Sequence, residues 1–335
     1  MNEQTTTALI VPGACRPRGL RCTAAGSRAM TEQDTTSAIK CRAVSERAAI
    51  WLWLSIAAAL LAVAGSIIAL AVDSIYAGLT PSFLPQALAQ DVANLAFVSP
   101  ALLLLAALAL RGSLRAYLLW LGVLTFTAYN YVIYAFSIPF GPLFLLWVAV
   151  LGMCIYALIG GAAAVDHSVV AARFARRRAV IVAAWVLIVT AILFGLLWLS
   201  QDVPALLAGK TPQSLIDMGL PTNPVHVLDL GFFLPAVIVT GVLLLARRPL
   251  AYTLAPAFLV FLVLTGLPIL LTPVVQAARG ETAAWGVAIP IGTLTVTLLV
   301  VVVWLLSTMR AHEGPAAAPE VAAWILQQTH AVTKL

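Results

Sequence analysis

Apolar residues run through this chain in eight long blocks, at 51–76, 91–110, 114–136, 140–165, 179–200, 225–246, 250–274 and 284–309. A hydrocarbon core about 30 Å thick takes roughly 20 apolar residues to cross as a helix, and each block is about that long. The pattern predicts an all-α integral membrane protein of about eight transmembrane helices. The joints between blocks carry helix-start chemistry. Thr80-Pro81, Thr211-Pro212 and Asn223-Pro224 each set a capping oxygen before a proline whose missing N–H costs nothing in a first turn. Asn223 is read as the start of the sixth span.

The chain also resembles itself. Shifted by 131 residues, Arg47-Ala48-Ala49-Ile50 falls on Arg178-Ala179-Val180-Ile181, and Ala77-Gly78-Leu79-Thr80-Pro81 falls on Ala208-Gly209-Lys210-Thr211-Pro212. Shifted by 135, Leu95, Phe97, Pro100, Ala116, Tyr117 and Phe126 fall on Leu230, Phe232, Pro235, Ala251, Tyr252 and Phe261. Matches of Leu and Ala carry little weight in so apolar a chain. The Gly, Thr-Pro, Pro and Ala-Tyr matches carry more, because they coincide with equivalent span boundaries. They predict two parallel four-helix repeats, 48–178 and 179–310, related by an axis along the membrane normal and most alike in their first three spans.

Composition agrees with the pattern. Of 335 residues, 62% are hydrophobic and 10% charged, with a net charge of +6. Soluble domains hold about 45–50% apolar and about 25% charged residues, so most soluble enzyme classes are excluded. The basic residues decide orientation, since cytoplasmic loops retain Lys and Arg. With both termini inside, Arg47, Arg111, Arg115, Arg173 to Arg178, Arg247, Arg248 and Arg310 are cytoplasmic, and only Lys210 and Arg279 are exported. The basic charge then faces anionic lipid headgroups, and no basic patch interleaved with aromatics points to nucleic acid. Residues 1–47 read as a disordered basic cytoplasmic tail. Residues 311–335 read as a second cytoplasmic tail, whose Val321, Trp324 and Ile325 suggest a short interfacial helix. Cys15, Cys22 and Cys41 lie in the first tail and Cys154 is alone in the fourth span, without metal or redox spacing.

Polar groups inside a bilayer are costly, so they are the places to look for function. The repeat aligns Asp91 with His226 and Asn94 with Asp229, each pair one turn apart on one face, and Asn130 with Thr265. At about 1.5 Å per residue, Asp229 lies roughly 6 Å and Asn130 roughly 10 Å below the outer boundary. With Tyr131 and Tyr134 these residues form a candidate ligand-binding set lining one outward-open polar cavity. Each has a plainer reading. Asp91 at a helix start would favour the macrodipole, His226 would be an interfacial hydrogen-bonding residue, and Tyr129, Tyr131 and Tyr134 would be belt residues. Asp229, among apolar neighbours, is the hardest to explain structurally. Asp73, Asp202, Asp166 and His167 read as solvated span ends. Gly160-Gly161 reads as a close helix contact, and Pro268, Pro273 and Pro290 as kinks or as sources of free carbonyls.

There is no phosphate-binding loop, no intramembrane Lys for a Schiff base, no second His for a haem, no paired-His zinc motif and no nucleophile elbow. No cofactor is expected, and a metal held by an Asp–His pair is left open. At Gln90-Asp91-x-x-Asn94-Leu95, Tyr129-Asn130-Tyr131-x-x-Tyr134 and Thr222-Asn223-Pro224-Val225-His226-Val227-Leu228-Asp229 the chain resembles a family of multi-spanning membrane proteins of high-GC bacteria to which no activity is assigned. The resemblance covers roughly 48–310. It implies a bacterial plasma-membrane location and no mechanism. Three readings follow: transport or sensing of a small cation or polar solute; an outer-leaflet enzyme for lipid or quinone, using His226 and Asp229 as an acid–base pair; or a scaffold without ligand.

Overall fold

A computed structural model describes residues 43–310. Of the expected tails over 1–47 and 311–335, residues 1–42 and 311–335, with Cys15, Cys22, Cys41 and the interfacial helix, lie outside the described residues; residues 43–47 are not a disordered tail, since the Ser45 N–H donates to the Ala164 carbonyl at the end of α4 (2.9 Å). Among the described residues this is an all-α membrane protein with eight helices long and apolar enough to cross a bilayer. They are α1 (Ala48–Ala71), α2 (Leu84–Leu110), α3 (Leu114–Ser137), α4 (Phe144–Ala163), α5 (Arg177–Leu207), α6 (Pro224–Leu245), α7 (Pro249–Ala278) and α8 (Trp285–Ser307). Three boundaries differ from the hydropathy reading. α1 ends at Ala71, and Asp73–Tyr76 forms a separate 3-10 turn. α2 starts at Leu84 because Gln86 and Gln90, polar by sequence, are helical, and α5 runs through Gln201, Asp202 and Pro204 to Leu207.

Asn223 caps α6 as expected, its Oδ1 accepting from the backbone N–H of Val225 (3.0 Å) and His226 (3.4 Å), with Pro224 in the first turn. Thr211 does not cap, since the short helix Gln213–Met218 starts on Pro212 without a side-chain bond.

α1 packs on α2 and α4, and α3 joins α2 to α4. Likewise α5 packs on α6 and α8, and α7 joins α6 to α8. The two groups meet where α3 packs on α7, flanked by the first half of α2 on α7 and the start of α6 on α3. α3 is the central element, with 83% of its apolar window buried against 28–39% in the other spans. Small residues permit the closest approaches. A β-carbon at Gly122 would fall 2.6 Å from the Ala257 carbonyl oxygen, so α3 and α7 touch at backbone distance. Gly160 and Gly161 receive Trp51 and Trp120, and Tyr117 Oη donates to the Gly161 carbonyl (2.7 Å), making the expected close contact of α4 with α1 and α3.

Two backbone features recur at the spacing the sequence aligns. α2 and α6 are each broken by one π-helical turn, Asn94–Val98 and Asp229–Phe233. Each turn is followed by a proline, Pro100 or Pro235. A proline ring clashes with the carbonyl four residues back, here Ala96 or Gly231, and a widened turn relieves that clash. The α2–α3 and α6–α7 turns each hold one residue in the left-handed region, Gly112 (φ 90°) and Arg247 (φ 56°). Val44 and Val165 form an isolated antiparallel bridge where α1 begins and α4 ends; Phe174 and Met309 do the same for α5 and α8.

Ten arginines of the described residues, from Arg47 to Arg310, cluster at the helix ends that hold these bridges, and Lys210 and Arg279 lie at the opposite end. At the basic end Asp166 is exposed as expected, whereas His167 is half-buried. Asp166 caps the helix His167–Ala172, and its bonds from the Ser168 hydroxyl and the Ser168 and Val169 amides hold its carboxyl below the usual range. His167 Nδ1 pairs with Thr253 Oγ1 (2.9 Å), and partial burial lowers its ring's affinity for a proton.

The α3–α7 contact makes a direct prediction. Gly122→Ala should destabilise the purified protein by about 1–3 kcal/mol through overpacking. Gly152→Ala, where a β-carbon meets nothing within 4 Å, should be neutral or stabilise by about 0.5–1 kcal/mol, read as paired thermal melts.

Candidate functional site

The polar side chains of the spans gather in two clusters on either side of a cavity. Asp91 lies seven residues into α2, about 10 Å along the axis, so it is past the first turn and no macrodipole partner. Its carboxylate accepts from three hydroxyls: Ser66 Oγ of α1 (2.8 Å), Tyr76 Oη (2.5 Å) and Tyr134 Oη of α3 (2.9 Å). Asn94, at the head of the π turn, donates to Ser66 Oγ (3.5 Å) and accepts from Gln90 (3.2 Å) and Asn130 (3.4 Å). Tyr131 stacks on Tyr134 at 5.3 Å. The cluster ties α1, α2 and α3 together and leaves the carboxylate well supplied with donors.

Asp229, at the head of the other π turn, is poorly supplied. Its Oδ2 accepts one bond, from Trp198 Nε1 of α5 (2.9 Å). His226 stacks on the same indole at 4.4 Å and sets Nδ1 3.0 Å from both oxygens of Asp202. Asp202, partly exposed at the outer end of α5, is therefore the partner of His226. The acid–base pair His226–Asp229 expected for an enzyme is not formed, because the imidazole turns to Asp202. Beside Asp229 is the buried hydroxyl of Tyr129, which faces the carboxylate but lies outside good hydrogen-bond geometry. Tyr129, Tyr131 and Tyr134 are 4%, 1% and 3% exposed, so none is a belt residue facing lipid.

A cavity of about 290 Å³ runs between the halves. Its mouth is at the end away from the arginines, among Phe83, Gln86, Met218, Leu220 and Asn223. Its floor is at Phe126, the thirteenth of 24 residues of α3, and at Leu298 of α8, so it reaches the middle of the spans. Of the seven residues expected to line it, Asn130, Tyr134 and Asp229 are on its wall; Asp91, Asn94, Tyr131 and His226 are packed behind it. The wall is also not mainly polar. Phe126, Ile133, Phe194, Trp198, Phe261 and Leu294 make up much of it, because α3 and α7 face it with aromatic and aliphatic side chains.

The prolines of α7 do not break it. The helix is continuous with Pro256, Pro268 and Pro273 inside it, and Pro290 falls in the first turn of the α-helix Ala288–Ser307. Pro273 leaves the carbonyl of Ile269, a wall residue, without its helical donor. Among the described residues no three His, Cys, Asp or Glu side chains come together as metal ligands.

Sequence reasoning missed Ser66, Tyr76 and Trp198 and the pairing of Asp202 with His226. A weak signal existed: in the repeat alignment Ser66 and Trp198 fall one position apart, each facing the aligned pair on the following span.

Unequal hydrogen bonding gives a stability test. Tyr76→Phe and Ser66→Ala each remove a donor from a buried carboxylate and should each cost about 1.5–3 kcal/mol. Tyr129→Phe removes a hydroxyl that makes no well-formed bond and should cost less than either. Equal losses in thermal melts of the three variants would mean that Tyr129 is bonded like the others. No protein-family model, curated protein or solved structure matches this chain, so the reading of the site rests on its own geometry.

Proposed function

We propose that this is a multi-pass protein of the bacterial plasma membrane, with both termini cytoplasmic, whose outward-open cavity binds a small cation or polar solute for transport or sensing. The observation that carries the reading is the depth of the cavity. It starts at the end of the spans that holds only Lys210 and Arg279 and stops half way across, with a sparsely bonded carboxylate on its wall. A scaffold has no use for a cavity, and the aliphatic and aromatic floor holds no nucleophile or acid–base pair for an enzyme.

The two four-span halves are, in this reading, parallel repeats of one ancestral unit. The paired π turns, paired left-handed turns, paired terminal bridges and matched neighbour order support that. So does the crossing of α3 and α7 at Gly122 and Ala257, which are equivalent at a shift of 135: under two-fold symmetry, residues near the axis meet their own equivalents. The cavity then lies beside the axis, between repeats, where parallel-repeat transporters bind. The likeness to membrane proteins of high-GC bacteria stays part of this proposal.

Thiol accessibility tests it. Leu298→Cys at the floor should react with a membrane-impermeant thiol reagent added outside intact cells, whereas native Cys154, buried in α4, should not. Reporter fusions after Gly78 and Gly209 should register outside and those after Arg115 and Arg248 inside. Labelling of Leu298→Cys only from the cytoplasmic side, or from neither side, would overturn the reading.

A further inference from the structure

The hydrogen-bonding capacity left over on the cavity wall has a direction. Thr265, Thr272 and Thr295 spend their hydroxyl protons on their own helices, donating to the carbonyls of Phe261 (2.9 Å), Pro268 (2.8 Å) and Ile291 (2.8 Å). Trp198 spends its N–H on Asp229 and Tyr134 its hydroxyl on Asp91. Asn130 and Gln90 both spend an N–H on Asn94. What remains is the second oxygen of Asp229, faced only by the Tyr129 hydroxyl, together with Asn130 Oδ1 and Gln90 Oε1 as acceptors and one N–H on each of those two amides. Tyr129 Oη, buried beside Asp229 without a well-formed hydrogen bond, completes the set and can donate or accept. A wall rich in acceptors and carrying one carboxylate calls for a ligand that donates and is positive.

The rest of the wall sets the remainder of the ligand. Around these few polar atoms are the rings of Phe126, Phe194, Trp198 and Phe261, and the volume is near the lower end of the roughly 300–1,000 Å³ usual for small-molecule sites. A bare metal cation asks for about six oxygen ligands, more than this wall gathers. A strongly hydrophilic solute would strand its other hydroxyls against aromatic rings.

We infer that the ligand is an amphipathic organic ammonium, with its N–H donors on Asp229 and Asn130 beside Tyr129 and its apolar body among the aromatic rings of the cavity. The inference deepens the reading of the cavity as a solute site and rests on it. Aromatic faces next to the carboxylate add cation–π attraction for the same head group. Binding restores the donors that Asp229 lacks, so ligand and fold are linked: the occupied protein is the better-satisfied one.

The probe is 4-phenylbutylammonium, compared with 4-phenylbutanol, 4-phenylbutyrate and sodium chloride, on the purified full-length protein by equilibrium dialysis and thermal shift. The ammonium should bind and stabilise, the alcohol should bind at least about tenfold more weakly, and the carboxylate and sodium should do neither. Asp229→Asn, which keeps the acceptor for Trp198, should weaken ammonium binding by about tenfold or more. Tyr129→Phe should weaken it by about threefold or more while costing the free protein less stability than Tyr76→Phe, which separates a ligand contact from a folding defect. Equal binding of alcohol or carboxylate, stabilisation by sodium alone, or undiminished binding in both variants overturns the inference. If Leu298→Cys is labelled from outside yet the ammonium does not bind, the cavity reading stands and the ligand class is wrong; if the floor is unreachable, both fall.

Discussion

A carboxylate inside a hydrocarbon slab must find donors within the protein, because water is not there to supply them. This chain buries Asp91 one turn before the π turn of α2 and Asp229 at the head of the π turn of α6, and treats them differently. Asp91 has three hydroxyl donors from three separate segments, and those bonds hold α1, the Asp73–Tyr76 turn, α2 and α3 in register. Asp229 has one indole donor, a tyrosine hydroxyl facing it without a well-formed bond, and a cavity in front. The first carboxylate builds the scaffold; the second is the one left with capacity to bind.

The π turns explain how both acids come to face inward at all. Pro100 and Pro235 each oblige the helix to widen over the preceding residues, and the widened turn begins at Asn94 in one half and Asp229 in the other. Widening rotates the outer part of each span against the inner part, so the polar stripe of the outer part and the apolar face of the inner part need not lie on one continuous line. Close approach at Gly122 then brings α3 against α7, and the space left beyond that contact, toward the mouth, is the cavity.

Much of this was legible in the sequence. Eight apolar runs gave eight spans, Asn223 gave a helix start, and Gly160-Gly161 gave a close contact, because length, capping and small-residue packing are local properties. The candidate set found the right stretch of chain but not the right partners. Burial in a membrane protein leaves little trace in hydropathy, since a tryptophan against lipid and one against a carboxylate look alike; Trp198 was therefore invisible, and Asp202, set among Ser200 and Gln201, looked solvated. Asp91 was misplaced near a helix end because Gln86 and Gln90 interrupt the apolar run without interrupting the helix. Which of seven polar residues face a cavity depends on the π turns, and those follow from prolines whose effect on side-chain direction no periodicity rule carries.

The unequal treatment of the two acids is best tested by their relative contribution to the ligand-free fold. Asp91→Asn and Asp229→Asn should be melted side by side in the same lipid or detergent without added solute. Asp91→Asn should lower the melting temperature, since it weakens charge-assisted bonds to three hydroxyls; Asp229→Asn should leave it unchanged or raise it, since it removes a buried charge with a single donor and keeps the acceptor for Trp198. An Asp229→Asn variant as unstable as Asp91→Asn would contradict the account and make Asp229 a second structural acid.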